Sequence, residues 1–270
     1  MIRLNFKTRA LCGLVSASLL LFTNLAGSIQ AQSPLPMADQ TAIFQATLAK
    51  LFGEATAFTA QAEMVAADQT KAEILRMTMA FALLDGKMWM DLDLGQIKSG
   101  KIPPGVIASM QKMGMDRMLN IVRPDKQVTL LIYPRLASYV EAPLTKEDAS
   151  AYAKTTKIDK TAIGKETIDG HPCVKSKIIV MEDNGKKHEG IVWTAKDLKN
   201  FPVRMDFVEP DATISMRFKN IQFAKPDSSR FDPPADFKKY SDVQQLMQSV
   251  MEKMMRAPAG AAPTGQPPAR

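Results

Sequence analysis

Eighteen methionines are the most unusual chemical feature of this 270-residue chain, and they outnumber its fourteen glycines. A thioether is a soft ligand that suits Cu(I), and Met110, Met113, Met115 and Met118 crowd one short stretch. Yet the methionines alternate with Leu and Phe in amphipathic segments, a pattern of packing or cavity lining rather than of polar metal-binding tracts. Asp91 and Asp93 fall on one strand face and could meet a hard cation; solvated carboxylates explain them more simply. The chain has two histidines, His171 and His188. His171 stands two residues before Cys173, but a nucleophilic thiol needs the imidazole at its sulfur and a third group to orient it. If Cys173 opens a strand, a turn histidine need not follow it, and a small buried thiol is the ordinary state of a free cysteine. There is no Gly-rich phosphate loop, nucleophile elbow or HExxH helix. These residues point away from an enzyme and call for no metal and no cofactor.

Composition sets the bounds within which the methionines act. Hydrophobic residues make up 46% of the chain, ordinary for a globular protein, and the aliphatic content excludes disorder throughout. The formal net charge is +7, but Arg3, Lys7 and Arg9 lie in the first nine residues and no acid precedes Asp39, so residues 32–270 carry only +4. That spread is too thin for a nucleic-acid face. Residues 1–31 have the plan of a secretory signal peptide: the basic start, the apolar run Ala10–Phe22 and the small residues Gly27, Ser28 and Ala31 before a cut near Gln32. A dozen apolar residues are too few to span a bilayer, and Cys12 sits at the wrong end of the run for a lipid anchor. The expected product is a soluble, exported, periplasmic protein whose one remaining cysteine, Cys173, cannot form an intrachain disulfide.

After a flexible leader at 32–38, Asp39 can cap a helix to Phe52 with Gly53 as its stop. From Phe58 the period becomes two, with Phe58, Ala60, Ala62 and Met64 on one face. The Asp85-Gly86 pair then marks a two-residue hairpin turn. This pairs Leu84 with Lys87, Leu83 with Met88, Phe81 with Met90, Met79 with Leu92 and Met77 with Leu94. Nearly all large apolar side chains of the hairpin therefore share a face, opposite Trp89, Asp91 and Asp93. A helix is expected from Pro103 or Pro104 to about Met118, with Val106, Ile107, Met110, Met113 and Met118 on its apolar side. Strands follow at 119–122, 127–133 and 138–142, then a short surface helix within 145–154. Further strands fall at 157–168, 173–181, 187–194, 203–209 and 213–224, with Asp169–Pro172 and Asn184-Gly185 as turns and a last sheet edge near Phe231. Val243, Leu246, Met247, Val250, Met251 and Met254 stripe an amphipathic helix within 241–256. Residues 257–270 are rich in Pro and Ala and are expected to be a disordered tail.

Two phrases carry a resemblance. Gly164-Lys-Glu-Thr-Ile-Asp-Gly-His-Pro-Cys173 and Phe231-Asp-Pro-Pro-Ala-Asp-Phe237, with the order of elements over 37–240, resemble the periplasmic lipoprotein-carrier superfamily, the LolA-like fold, as found in uncharacterised exported members. The resemblance implies a strongly curved antiparallel sheet that makes an incomplete β-barrel, with helices as a lid over its mouth. Both phrases are turn and edge chemistry and contain no convergent catalytic set.

The expected class is α+β, a single half-barrel domain over 39–240 covered by a few helices. Methionine is flexible and polarizable, so a methionine-lined face can repack around varied apolar partners. The expected function is a carrier or binding protein for lipid or another acylated hydrophobic molecule, with transient membrane contact allowed. Its ligand site is Met77, Met79, Phe81, Met88, Met90 and Leu92 under a helix bearing Ile107, Met110 and Met113. The alternative is a non-enzymatic envelope scaffold that uses its C-terminal helix and tail to hold a protein partner.

Overall fold

The computed structural model describes residues 48, 50–98, 104–144, 157–181, 187–208 and 212–256. The expected signal peptide, leader, most of the leading helix, the surface helix within 145–154, the Asn184-Gly185 turn and the tail lie outside the described residues. Leu48, Lys50 and Leu51 belong to the last helical turn, and Phe52 N–H donates to the Leu48 carbonyl at 3.1 Å. Gly53 takes φ +60°, the left-handed backbone that ends a helix at little cost to glycine.

Twelve strands among the described residues form one sheet. In chain order they are β1 (Ala57–Asp68), β2 (Glu73–Leu84), β3 (Lys87–Asp93), β4 (Arg117–Arg123), β5 (Val128–Tyr133), β6 (Ser138–Pro143), β7 (Lys157–Ile168), β8 (His171–Met181), β9 (Lys187–Ala195), β10 (Phe201–Val208), β11 (Ala212–Gln222) and β12 (Lys238–Tyr240). Helix α1 (Pro104–Lys112) connects β3 to β4, and α2 (Val243–Arg256) follows β12. The spatial order is β12-β6-β5-β4-β3-β2-β1-β11-β10-β9-β8-β7. Every neighbouring pair is antiparallel except β12 with β6. The end strands do not meet, so the curved sheet remains an open, incomplete barrel of α+β class.

The β2–β3 hairpin has the register read from its sequence: Leu84 faces Lys87, Leu83 faces Met88, Phe81 faces Met90 and Met79 faces Leu92. Asp85 (φ 49°) and Gly86 (φ 81°) both adopt positive φ, as a primed turn requires. The expected fifth pair, Met77 with Leu94, does not form. Asp93 accepts the Gly95 N–H at 3.0 Å and turns residues 94–96 into a 3₁₀ helix, and Arg76 pairs with Lys98 instead.

Three further expectations are corrected. Helix α1 stops at Lys112 rather than near Met118, because Gly114 takes φ +71° and the chain turns into β4, which holds Met118. The turn before β8 is only Asp169-Gly170, so His171 and Pro172 already lie in the strand. Phe231 is not at a sheet edge. It closes a short 3₁₀ turn and is fully buried on the convex face with Ala82, Leu84, Ile121, Leu130 and Ile132. The last strand comes later, at β12.

Gly190 shows how tightly the far half of the sheet is drawn together. A Cβ there would stand 2.8 Å from the Asp206 carbonyl oxygen and 3.3 Å from the Phe207 ring. Only glycine lets β9 and β10 approach this closely.

Candidate functional site

The concave face is built from cross-strand rows, the stabilising unit of a sheet. One row runs Phe58–Leu83–Met88–Val122 and the next Ala60–Phe81–Met90–Asn120–Leu131–Val140. A third runs Phe218–Ala62–Met79–Leu92–Met118. A fourth places four methionines on four adjacent strands, Met77–Met64–Met216–Met205. All four are buried in the main core. The fourth row draws on β1, β10 and β11, and Met64, Met205 and Met216 were not among the residues expected to line the site.

Of the expected residues, Met77, Met79, Phe81, Met88, Met90 and Met110 are brought together in one core, and Leu92 packs against it half-buried. The other two helix residues lie outside this core. Met113 belongs to a second cluster with Met115, Tyr133, Val140, Tyr240, Leu246, Met247 and Val250, because the chain leaves the helix there. Ile107 is half-buried on α1, beside Val106, which does touch the main core.

The deep part of the concave face is filled by aromatic rings. Phe52, delivered by the end of the leading helix, lies 4.8 Å from Phe58, 5.6 Å from Phe81, 5.5 Å from Phe201 and 5.4 Å from Phe218, centroid to centroid. These are edge-to-face, tilted and stacked contacts within the favourable range. Half-buried apolar side chains border the core at several places, Leu75, Ile158, Ile191 and Ile214 among them; those on α1 and strands β3–β5 include Leu92, Val106, Ile107, Met118 and Leu131. This rim coincides with the seam where the main core meets the second cluster. Asn120 sits in the seam, with Met90 on one side and Leu131 on the other. The residue is half-buried, and its Oδ1 is buried with no hydrogen-bond partner among the described residues.

The opposite face of the hairpin carries its charges in pairs. Asp91 accepts two hydrogen bonds from Arg117, at 3.0 and 2.6 Å, and Asp93 accepts from Gly95 N–H and from Gln96. Both carboxylates are thus occupied by protein groups. Among the described residues no set of three or more His, Cys, Asp or Glu gathers as metal ligands would.

The thiol–imidazole pair does not assemble. His171 Nδ1 lies 2.7 Å from Asp197 Oδ2, and that contact holds the Asp197 carboxyl below its usual range. The Cys173 Sγ–H donates instead to the His171 carbonyl at 3.3 Å. Burial pushes the Cys173 thiol up, opposite to the shift of an activated nucleophile. The surrounding phrase works as turn and edge chemistry. Glu166 accepts from Trp193 Nε1 at 2.8 Å, and Asp169 is bound by Arg217.

No helix of the described residues is long and apolar enough to cross a membrane. No protein-family model and no curated protein matches the chain. Among solved structures the chain is similar to the lipoprotein LppX of Mycobacterium tuberculosis, with 11% identity and a TM-score of 0.37 over 69% of this chain and 96% of that one. It is also similar to LprF from Mycobacterium bovis, with 14% identity and a TM-score of 0.34 over 76% of this chain and 100% of that one. The chain is likewise similar to a LolA superfamily protein from Nitrosomonas europaea, with 9% identity and a TM-score of 0.30 over 72% of this chain and 97% of that one.

Proposed function

We propose that this protein is an exported, non-catalytic carrier for a lipid or another acylated hydrophobic molecule. The observation that carries the reading is the half-buried apolar rim of Leu92, Val106, Ile107, Met118 and Leu131, which opens onto a methionine-lined concave face. These side chains keep partial exposure beside methionines that are buried. Methionine lining suits a site that must re-form around its guest, because three rotatable bonds let each side chain change shape at small cost. An aliphatic chain enters at the rim, under α1, and lies along Leu92, Met90 and Met79.

Mass spectrometry of organic extracts from gently purified protein tests the reading directly, with co-purifying lipid as the expected result. Binding of the neutral fluorophore N-phenyl-1-naphthylamine locates the site. Met79→Gln and Leu92→Gln are expected to weaken it about tenfold or more, the cost of one apolar contact replaced by an amide. Asp91→Ala, on the opposite face, leaves it unchanged. Equal binding by all three variants, each with native circular dichroism, would overturn the concave-face site.

A second reading is favoured by one observation. The apolar stripe of α2 continues past the residues it buries, and Met251, Met254 and Met255 are exposed at 39%, 50% and 79%. Under this reading the barrel is a rigid envelope scaffold and the end of α2 holds a protein partner. Extracts free of lipid, together with no fluorophore binding, would move the weight to it.

A further inference from the structure

We propose that Asn120 is the polar anchor of the apolar site, and that its ligand is an aliphatic chain bearing a hydrogen-bond donor, a hydroxyl or an amide N–H, near one end. The inference rests on the carrier reading and narrows its ligand class.

Asn120 is the one polar residue in the row Ala60–Phe81–Met90–Asn120–Leu131–Val140. A strand position on this face calls for an apolar side chain, and Leu92 in the next row and Leu131 beside it show what packs there. The amide oxygen is out of contact with solvent and receives no hydrogen bond from the described residues. A buried carbonyl left this way forfeits its hydration without recompense, and native proteins satisfy nearly all such groups. The neighbours offer no remedy, since Met90 and Leu131 have nothing to donate and the β4 backbone is committed to its ladders with β3 and β5. A molecule entering the seam can supply the donor that the described residues do not.

The surroundings fix the rest of that molecule. Asn120 lies between the main core and the second cluster, at the half-buried rim formed by Leu92, Met118, Leu131 and α1. A donor bound to its Oδ1 leaves the attached chain against Met90, Leu92 and Met79, all apolar. No charged side chain stands in these rows between Phe81 and Val140, so a neutral donor fits better than an ammonium. An alkyl ether or methyl ester would fill the same volume and leave Asn120 unpaired.

The test compares dodecan-1-ol with its methyl ether in displacing N-phenyl-1-naphthylamine from the full mature chain. The wild type is expected to favour the alcohol by about fivefold, the value of one net hydrogen bond. In Asn120→Leu the preference falls to about one while the fluorophore still binds. Asn120→Ala, which removes the amide without filling the seam, gives the same result and is decisive if leucine blocks entry. Fluorophore binding with no preference in the wild type, or a preference that survives in Asn120→Ala, overturns the anchor and leaves the carrier reading intact. A wild type that binds neither the fluorophore nor dodecan-1-ol overturns both.

Discussion

The methionines act first as packing. Met64, Met77, Met205 and Met216 stand side by side on four strands, each at 4% exposure or less. Leucine has nearly the same volume, so Met216→Leu is expected to change stability by less than about 1.5 kcal/mol in urea unfolding. Phe58→Ala, by contrast, removes a ring in contact with Phe52, Phe81, Phe201 and Phe218 and should cost about 3–5 kcal/mol. The pair separates two roles. If Met216→Leu is as damaging as Phe58→Ala, the row depends on thioether shape in a way volume does not capture. If it is neutral for stability but narrows the range of apolar probes bound, flexibility is what the methionines supply. The hairpin part of this lining was legible because period-two alternation and Asp85-Gly86 are local signals. The row through β1, β11 and β10 was not, since Met64 and Met216 lie more than half the chain apart in sequence and become neighbours only through the pairing of β1 with β11. Asn120 gave no warning either: one polar residue in a short strand reads as an exposed position until the register assigns it to the concave face.

At the scale of elements, the convex side depends on a device that hydropathy does not reveal. The segment ending in Phe231 has no period, and it is held by Arg123, a guanidinium only 6% exposed. Arg123 donates to the Phe231 carbonyl at 3.0 Å, to Asp232 at 2.6 Å and twice to Asp125, at 2.8 and 2.7 Å. Lys126 adds a contact to Asp232 at 2.9 Å. The Lys126 hydrogen bond, and then the Arg123 charge, hold the Asp232 carboxyl below its ordinary range; Arg123 does the same for Asp125. A carboxylate with a lowered folded pKa stabilises above its unfolded value, near 4, and that contribution is lost as pH falls through the folded value. Acid should therefore loosen residues 228–237 from the sheet before the core gives way. Arg230 lies over Trp89 at 4.8 Å, so Trp89 fluorescence in a Trp193→Phe background reports the event. The expected result is a change at Trp89 below about pH 4. It should shift or vanish in Asp232→Asn, at a stability cost of about 1 kcal/mol because that carboxylate is half-exposed. A Trp89 signal identical in both proteins down to global unfolding would show that the clip contributes nothing.

For the whole molecule, an open sheet has to finish its own edges, and α2 does so at one end. Asp242 caps the helix by accepting the Gln245 N–H at 2.8 Å, and Tyr240 donates its hydroxyl to Ser249 at 2.7 Å. Leu246, Met247 and Val250 then cover Tyr133, Val140 and Tyr240 beside Met113 and Met115. The amphipathic stripe announced this helix in the sequence, but not which surface it covers, because β6 and β12 pair in parallel and bring residues about a hundred positions apart together. Each fully buried aliphatic side chain is worth about 1.5–3 kcal/mol, so three of them are a large share of the 5–15 kcal/mol by which a typical domain is stable. Truncation before Val243 should therefore lower the melting temperature by ten degrees or more, or prevent folding, since 1 kcal/mol moves a domain of this size by about 2–4 °C. Removing only residues 257–270, whose Pro- and Ala-rich composition offers little to bury, should shift it by less than about 2 °C. Differential scanning calorimetry of the two truncations against residues 32–270 decides the matter. A tail deletion as costly as the loss of α2 would show that the Pro/Ala segment packs on the domain. An α2 deletion with no cost would mean that the second cluster is stable without its cover, and that the helix is held in place for contact with a partner.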